Sequence, residues 1–227
     1  MNIKPLSTTL QKRLERHQVP DWARGVWKRT RLRLDGDGVR GGTRVIWVQT
    51  PILFADIRVP APKDKTGETE GFSGHLEVSG MVCSWQRPID LQPPREAGDE
   101  GAMFRDGDVM LEAGIHANYI EDWKLVGQPE PHLAMSRGRF DVTRDGIVWA
   151  QNEPLEVVVA CDGHVIHAWR GQEGAGLAYF HHNPATDTLK PKLQAGASDL
   201  GESAQPWRLW STSMGTASAA ALADMLA

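Results

Sequence analysis

Two residues of opposite charge, Asp56 and Arg58, lie two positions apart in the otherwise apolar segment WVQTPILFADIRVP, residues 47–60. Side chains alternate across a β-strand, so both residues share one face with Phe54. A buried ion pair there needs further hydrogen bonds or a ligand, because unpaired buried charge is costly. In a ligand site, Arg58 would anchor an anionic group and Asp56 would orient it. The alternative is a surface or rim pair, which contributes about 1 kcal/mol or less.

Aromatic and amide side chains extend this candidate site. Trp47 and Gln49 lie on the preceding strand and would supply an aromatic wall and an amide contact if the hairpin register turns them inward. Trp85 is a further ligand candidate. The segment 74–85, interpreted as one strand, puts it on the same face as His75. These three side chains complete the first group of predicted ligand contacts.

A second group of candidates consists of Glu112, Tyr119, Glu121 and Trp123. Alternation along a strand places the last three on one face. A carboxylate surrounded by Trp and Met is desolvated, which raises its pKa towards the range that proton transfer near neutral pH requires. Both glutamates are therefore candidate catalytic groups of a barrel lyase, isomerase or hydrolase, with Arg58 stabilising negative charge. The alternative for each glutamate is an exposed position on an edge face.

Histidine spacing does not predict a metal site. His164 and His167 are three apart and point to opposite faces of a strand, while His181 and His182 precede an Asn-Pro pair in a predicted turn. No cofactor is predicted. Haem is left open, because an apolar barrel with a single axial histidine is chemically sufficient.

Composition limits the function classes. The chain has 227 residues and a net charge of −4, with 25 basic and 29 acidic residues interspersed, so we expect no nucleic-acid partner. Neither a secretion signal nor a segment of membrane-spanning length is evident, so we expect a cytoplasmic protein without a membrane partner. Cys83 and Cys161 fit reduced, buried thiols better than a disulfide framework. The predicted partner is a small-molecule ligand.

Short strands must position these residues. Residues 1–20 form an N-terminal extension in which Ser7 caps a short helix that Pro20 stops, and 216–227 form a C-terminal helix. Between them, Asp-Gly pairs join alternating segments in MFRDGDVMLEAGI, RGRFDVTRDGIVWA and LEVVVACDGHVIHAW, which indicates hairpins. Two long polar connections, 60–74 and 181–206, are typical of cavity mouths.

This pattern predicts an antiparallel sandwich or an up-and-down barrel. The barrel is favoured because several strands carry a face that mixes Trp or Met with a carboxylate, as a ligand cavity does. The same mixed faces also occur on solvated sheets. One domain over residues 1–227 is the predicted organisation, since no linker divides the chain.

The segment DWARGVWKR resembles the Gly-x-Trp signature of lipocalins and related calycin barrels, with Gly25 and Trp27 at the signature positions. The resemblance implies that Trp27 closes one end of a barrel and that an arginine of the last strand packs over it, a structural role for Arg208 in QPWRLW. Arg208-x-Trp210 is also similar to the Arg-x-Tyr of intracellular fatty-acid-binding proteins, where the arginine binds a carboxylate. The secreted family's Thr-Asp-Tyr segment is missing, so an intracellular, atypical relative is implied.

The sequence therefore predicts an all-β, antiparallel up-and-down lipocalin-like barrel with short N- and C-terminal helices. The expected function is binding of a small, largely apolar ligand that carries an acidic or polar group, inside the barrel cavity. One alternative is an enzyme that uses a cavity carboxylate as general acid or base. Another is an interaction module with a filled barrel.

Overall fold

The structure is a computed structural model of the 227-residue chain. The structure describes residues 3–34, 38–40, 43–61, 67–92, 97–198 and 205–226. Two α-helices are present in these residues, α1 (Thr8–Leu14) and α2 (Thr216–Met225), with 3₁₀ turns at Glu15–His17 and Asp21–Ala23. Neither helix is long and apolar enough to cross a membrane.

The strands account for most of the secondary structure. Those of the first half are β1 (Ile3–Pro5), β2 (Gly25–Leu34), β3 (Gly38–Arg40), β4 (Arg44–Gln49), β5 (Leu53–Val59), β6 (Glu70–Ser79), β7 (Val82–Asp90), β8 (Glu100–Asp106), β9 (Val109–Gly114) and β10 (Tyr119–Gly127). Those of the second half are β11 (His132–Arg137), β12 (Phe140–Val142), β13 (Ile147–Trp149), β14 (Leu155–Cys161), β15 (His164–Gly171), β16 (Gly174–Asn183), β17 (Thr188–Gly196) and β18 (Trp207–Thr212).

Eight antiparallel strands close into a barrel. They follow one another in chain order as β2, β4, β5, β6, β7, β8, β9 and β10, and β10 pairs back with β2. Among the described residues, the short β3 pairs with the last three residues of β2, which are 32–34. Tight turns set this order, among them the glycine turn at Gly107, whose φ of 60° suits the Asp-Gly hairpin between β8 and β9. The predicted all-β class, antiparallel barrel and short terminal helices are confirmed.

A second sheet, which the sequence pattern does not distinguish from the barrel, uses the C-terminal half. Its strand order is β1, β18, β11, β14, β15, β16 and β17, and all neighbours are antiparallel except β1 and β18. The hairpin β12–β13 stands apart as a separate pair. Every residue of β14 is buried, as expected for a strand that is covered on both faces.

The second sheet packs against the outer wall of the barrel. Val157 and Val159 on one of its faces share a hydrophobic cluster with Val48, Ala55 and Ile57, which point outward from β4 and β5. The opposite face of the sheet, which carries residues such as Val158, forms another cluster that includes two side chains of α2. The apolar face of the ADIRV segment therefore contacts the second sheet, and its charged face is turned into the barrel.

One arginine joins the two sheets. Nη1 of Arg170 on β15 donates to the carbonyl of Pro88 on β7 at 2.7 Å. Nη2 of the same side chain donates to the carbonyls of Ala150 at 2.7 Å and Glu153 at 3.0 Å. These bonds hold the guanidinium at the junction between barrel and sheet.

The terminal extensions agree with most of their predicted signals. Ser7 Oγ accepts a hydrogen bond from the amide of Leu10 at 3.3 Å, so the predicted cap is confirmed.

The polar connection predicted over 181–206 is wrong in its first part, because β16 ends and β17 lies within it. The connection predicted over 60–74 is shortened by β6, and both predictions also cover residues outside the described part of the chain, 62–66 and 199–204.

Candidate functional site

The interior of the barrel is divided into a packed end and a hollow end. At the packed end, Trp27, Trp47 and Phe54 are almost completely buried in one cluster. The hollow end contains a cavity of about 170 Å³. The filled barrel considered from the sequence therefore describes one end of the interior, and the candidate site lies at the other.

Most of the sequence-predicted ligand contacts meet in this cavity. The predicted residues that line it are Trp47, Asp56, Arg58, Trp85, Glu112, Tyr119, Glu121 and Trp123. They come from β4, β5, β7, β9 and β10, and each points inward because side chains alternate along a barrel strand. The predictions that these residues bind a ligand are not tested by their position, but the structure does bring them together.

Gln49 is the exception, because it lies at the packed end. Its Oε1 accepts from Trp47 Nε1 at 3.2 Å, and its Nε2 donates to the carbonyl of Thr50 at 2.9 Å. The side chain is fully buried and its amide is engaged on both sides. The structure therefore does not bring Gln49 to the cavity with the other predicted contacts, since these bonds make its amide part of the protein core.

Asp56 and Arg58 form an ion pair inside the barrel. Arg58 Nε donates to Asp56 Oδ1 at 2.8 Å, and the carboxylate is 3% exposed. Burial raises the pKa of Asp56, and the positive charge of Arg58 offsets part of this effect. Burial opposes the charge of Arg58, but Asp56 and Glu121 outweigh it and raise the pKa of the guanidinium. The surface ion pair considered as an alternative is excluded.

Two more ion pairs lie at the cavity, and sequence reasoning missed one member of the first pair and both members of the second. Arg29 Nη1 donates to Glu121 Oε1, and both side chains are at least nine-tenths buried. Arg87 donates through Nη1 to Asp99 Oδ2 at 2.7 Å and also contacts Asp90 at 2.9 Å. Arg29 follows Trp27 by two residues, so alternation was a usable signal for it. Asp99 lies just before β8 and gave no such signal.

A β-bulge adapts β2 to the cavity. The register between β2 and β10 shifts where Asp122 pairs with Arg31 and Trp123 pairs with Arg29. The extra residue changes which side chains point inward, so Leu32 and Leu34 line the cavity together with Arg29. Strict alternation from Arg29 would have turned these two leucines outward.

In the part of the chain that the structure describes, Glu112 is held only by neutral donors. Tyr119 Oη donates to its Oε1 at 2.7 Å, and Trp123 Nε1 donates to its Oε2 at 3.0 Å. Glu121 is its direct cross-strand neighbour. Burial, and next the charge of Glu121, raise the pKa of Glu112 to about 8, while the Tyr119 hydrogen bond and Arg58 lower it in part. Within the described residues, no Arg, Lys or His side chain forms an ion pair with Glu112.

Two opposed glycines make room for this carboxylate and its phenol partner. Gly101 on β8 and Gly114 on β9 are register neighbours. A Cβ atom at Gly101 would lie 2.8 Å from Glu112 Cγ, and one at Gly114 would lie 2.3 Å from the Tyr119 ring. Any larger residue at either position would displace a member of the site.

Trp27 of the Gly-x-Trp segment is packed in the barrel beneath an arginine other than the predicted one. Trp27 is fully buried and donates from Nε1 to the carbonyl of Ala23 at 2.8 Å. The guanidinium of Arg105 on β8 lies over its ring at 5.0 Å from the centroid and donates to the carbonyls of Trp22 and Gly107. Arg105 was not predicted.

Both roles implied for Arg208 are corrected. Arg208 lies on β18 of the second sheet, paired with Ser136 of β11, and it does not line the barrel cavity. The roles implied for Arg208 require an arginine on the last strand of the barrel, and that strand is β10. Gly25 does open β2 as implied, with φ of 117°, and a Cβ atom at this position would lie 2.9 Å from the carbonyl oxygen of Gly127.

None of the histidines lines the cavity. His164 and His167 lie on β15 with opposite orientation, as predicted, whereas the turn predicted at His181 and His182 is wrong because both belong to β16. A turn at Gly80 separates β6 from β7, so the expected common face of His75 and Trp85 is also wrong. A cavity of about 170 Å³ that no histidine lines does not fit a haem.

His75 belongs to the contact between barrel and hairpin. It faces outward from β6 and accepts through Nδ1 from Trp149 Nε1 at 3.0 Å. Burial lowers its pKa to about 4, so the ring is neutral near pH 7. In the part of the chain that the structure describes, no three His, Cys, Asp or Glu side chains gather so as to hold a metal ion.

A larger, open groove adjoins the cavity. It has a volume of about 650 Å³ and lies beside β7, with Trp149 of β13 and Arg170 of β15 on its opposite wall. Trp85 and Asp99 line both the groove and the cavity. These two residues therefore lie between the cavity and the groove.

Comparison with known proteins adds no family assignment to this geometry. No protein-family model, no curated protein sequence and no solved structure matches the chain significantly.

Proposed function

We propose that the hollow end of the barrel binds a small polar molecule beside Glu112. The observation that carries the proposal is a cavity whose lining includes Asp56, Arg58, Asp99, Glu112 and Glu121 among aromatic rings. Convergent polar groups within an aromatic wall are typical of small-molecule sites. Buried charges at such a position also cost stability, which is a common property of functional sites.

The volume of the cavity limits the size of the ligand that fits in it. Ordinary ligand pockets have volumes of about 300–1,000 Å³, and this cavity has about 170 Å³. That space corresponds to roughly six water molecules at liquid density. The largely apolar ligand expected from the sequence is therefore not favoured, whereas its polar group is retained in the proposal.

An acidic ligand group is also not favoured. The proposal made from the sequence relied on Arg58 as an anion anchor, but this guanidinium already binds Asp56. Arg29 is likewise bound to Glu121. An anion entering the cavity would add negative charge to a lining that holds four carboxylates and two arginines.

A second candidate function is proton-transfer catalysis. It is favoured by Glu112, whose pKa of about 8 suits a general acid or base near neutral pH. Glu121, the other catalytic candidate, is engaged by Arg29 and is the weaker choice. An enzyme of this kind would lose turnover in Glu112→Gln while still binding its substrate.

Several broader predictions stand beside this proposal. The relationship to calycin barrels is supported by the closed eight-stranded barrel and by the environment of Trp27. The cytoplasmic location and the absence of nucleic-acid and membrane partners stay predictions from the sequence.

The proposed function is tested with three small probes of similar size, n-propylammonium, n-propanol and propionate. The indole N–H of Trp123 donates to Glu112 inside the site, whereas that of Trp210 donates to Ser136 in the second sheet. We expect at least one probe to shift the Trp123 indole signal in a proton–nitrogen NMR titration and to leave the Trp210 signal in place. If no probe moves the Trp123 signal, the cavity is not a binding site for small polar molecules.

A further inference from the structure

Among the described residues, the buried charges around the cavity leave one acid without a cation. Three arginines lie there in this part of the chain, and each already contacts a carboxylate. The pairs are Arg58 with Asp56, Arg29 with Glu121, and Arg87 with Asp99. Glu112 is the fourth carboxylate, and it is 5% exposed. Its partners among the described residues are a phenol and an indole, which carry no charge.

A buried carboxylate in this position has two ways to avoid an isolated charge. It takes up a proton in the empty protein, or a cation enters and pairs with it. Tyr119 supports the first state, because its hydroxyl can accept from a protonated Glu112 as readily as it donates to the ionised one. The geometry is thus compatible with both states of the same residue.

The aromatic walls favour the second state once a ligand is present. Trp47, Trp85 and Trp123 line the cavity, and Trp47 lies 5.9 Å from Trp85 and 5.8 Å from Trp123 between ring centroids. Indole faces attract ammonium and guanidinium groups. Carboxylate and aromatic groups therefore converge on the space that the ligand would occupy.

We propose that the ligand of the barrel cavity is a small cation, an ammonium or amidinium compound, with Glu112 as its counter-ion and the indoles as its walls. This inference rests on the proposed function and names the ligand class for the same site. A primary ammonium group has three N–H donors, and Glu112, whose carboxylate oxygens are acceptors, lines the cavity.

Cation binding at this site is coupled to proton release. In the empty protein Glu112 holds a proton near pH 7, because burial and Glu121 raise its pKa to about 8. When the cation binds, that proton leaves to solvent and the carboxylate pairs with the ammonium group, so the net charge of the site is unchanged. The charged and titratable groups that act on Glu112 from the surrounding strands are Tyr119, Glu121, Arg58, Asp56, Arg29, Asp99 and Cys83.

The experiment compares the affinities of n-propylammonium, n-propanol and propionate for the full chain at pH 7. We expect the cation to bind about tenfold more tightly than the alcohol, which corresponds to about 1.4 kcal/mol. Propionate binding should be weaker than that of either. Calorimetry in two buffers of different ionisation enthalpy should show release of a proton on binding of the cation only.

Two variants assign the preference to one residue. Glu112→Gln should bind the alcohol but lose the preference for the cation. Asp108→Asn, which removes an exposed acid on the outside of the barrel, should keep that preference and controls for net charge. The Trp210 indole signal reports whether each variant is folded, and the proton-release measurement on the unaltered chain needs no variant.

The outcomes separate the two proposals. Tighter binding of propanol or propionate than of propylammonium would overturn the cation assignment and leave the proposed function intact. A cation preference that persists in folded Glu112→Gln would show that another group is the counter-ion and overturn this assignment. Failure of all three probes to bind would overturn the proposed function itself.

Discussion

Two glutamates are buried to a similar degree in the two halves of the molecule, Glu112 in the barrel and Glu156 in the second sheet. Glu156 Oε1 accepts from Arg137 Nε at 2.7 Å, and its Oε2 lies 3.2 Å from His167 Nε2. Glu112 is bound by neutral donors alone, as far as the described residues extend. The difference teaches that burial does not decide the role of a carboxylate, since the partner does. A cation fixes the ionised form in place, whereas neutral donors accommodate both protonation states.

The largest expected consequence of this difference is a pH dependence of stability. The pKa of Glu112 is about 8 in the folded chain and 4.5 ordinarily, so the folded state keeps a proton that the unfolded state has lost between those values. Stability therefore falls as pH rises from about 4.5 to about 8, with a slope of up to about 1.4 kcal/mol per pH unit. Urea unfolding across this window measures the slope.

Comparison with Glu112→Gln isolates that slope from other titrating groups. Gln satisfies the same partners, because its amide N–H donates to the Tyr119 hydroxyl and its carbonyl accepts from Trp123. We expect the variant to have a flatter profile and higher stability than the natural chain near pH 8. Parallel profiles for the two proteins would show that Glu112 has an ordinary pKa.

Glu156→Gln should have the opposite effect on stability. The substitution leaves Arg137 without its carboxylate partner and changes the bond to His167. Glu156 and His167 are buried, whereas Arg137 is partly exposed. Breaking a buried pair by removing one partner costs about 3 kcal/mol, and the partial exposure of Arg137 reduces this to about 2 kcal/mol. Denaturation at pH 7 measures the loss.

The matched control for that measurement is Glu112→Gln at the same pH. It replaces a similarly buried glutamate. We expect it to leave the free energy of unfolding unchanged or to raise it. If both variants lose the same free energy of unfolding, the two carboxylates do not differ in the way that their partners indicate.

Alternation along single strands made much of the barrel interior predictable. Alternation put Asp56 with Arg58, and Glu121 with Trp123, on shared faces because each pair lies two residues apart on an uninterrupted strand, and these faces line the cavity. Prediction failed where a strand was interrupted, as at Gly80, where a turn reverses the chain and separates His75 from Trp85. A tight turn that lacks an Asp-Gly pair is easily read as a continuous strand.

The second sheet and the unpredicted ion pairs depend on long-range contacts. The sequence of β14 is equally consistent with a barrel strand and with the centre of a separate sheet, because both are buried. The pairing of Arg29 with Glu121 joins residues 92 positions apart, and that of Arg87 with Asp99 involves a connection between strands. Local periodicity carries no information about such contacts.

The smallest expected effect comes from moving Glu112 without changing it. In Gly101→Ala the new methyl group would lie 2.8 Å from Glu112 Cγ, so the carboxylate must shift away from Tyr119 and Trp123. We expect a loss of about 1–2 kcal/mol in unfolding free energy and a displaced Trp123 indole signal. Gly98→Ala is the control, because its new methyl group would lie 3.9 Å from the nearest atom, Glu100 Cγ. An unchanged Trp123 signal in Gly101→Ala would show that Glu112 does not depend on the space beside Gly101, and the comparison with Glu156 would then lose its geometric basis.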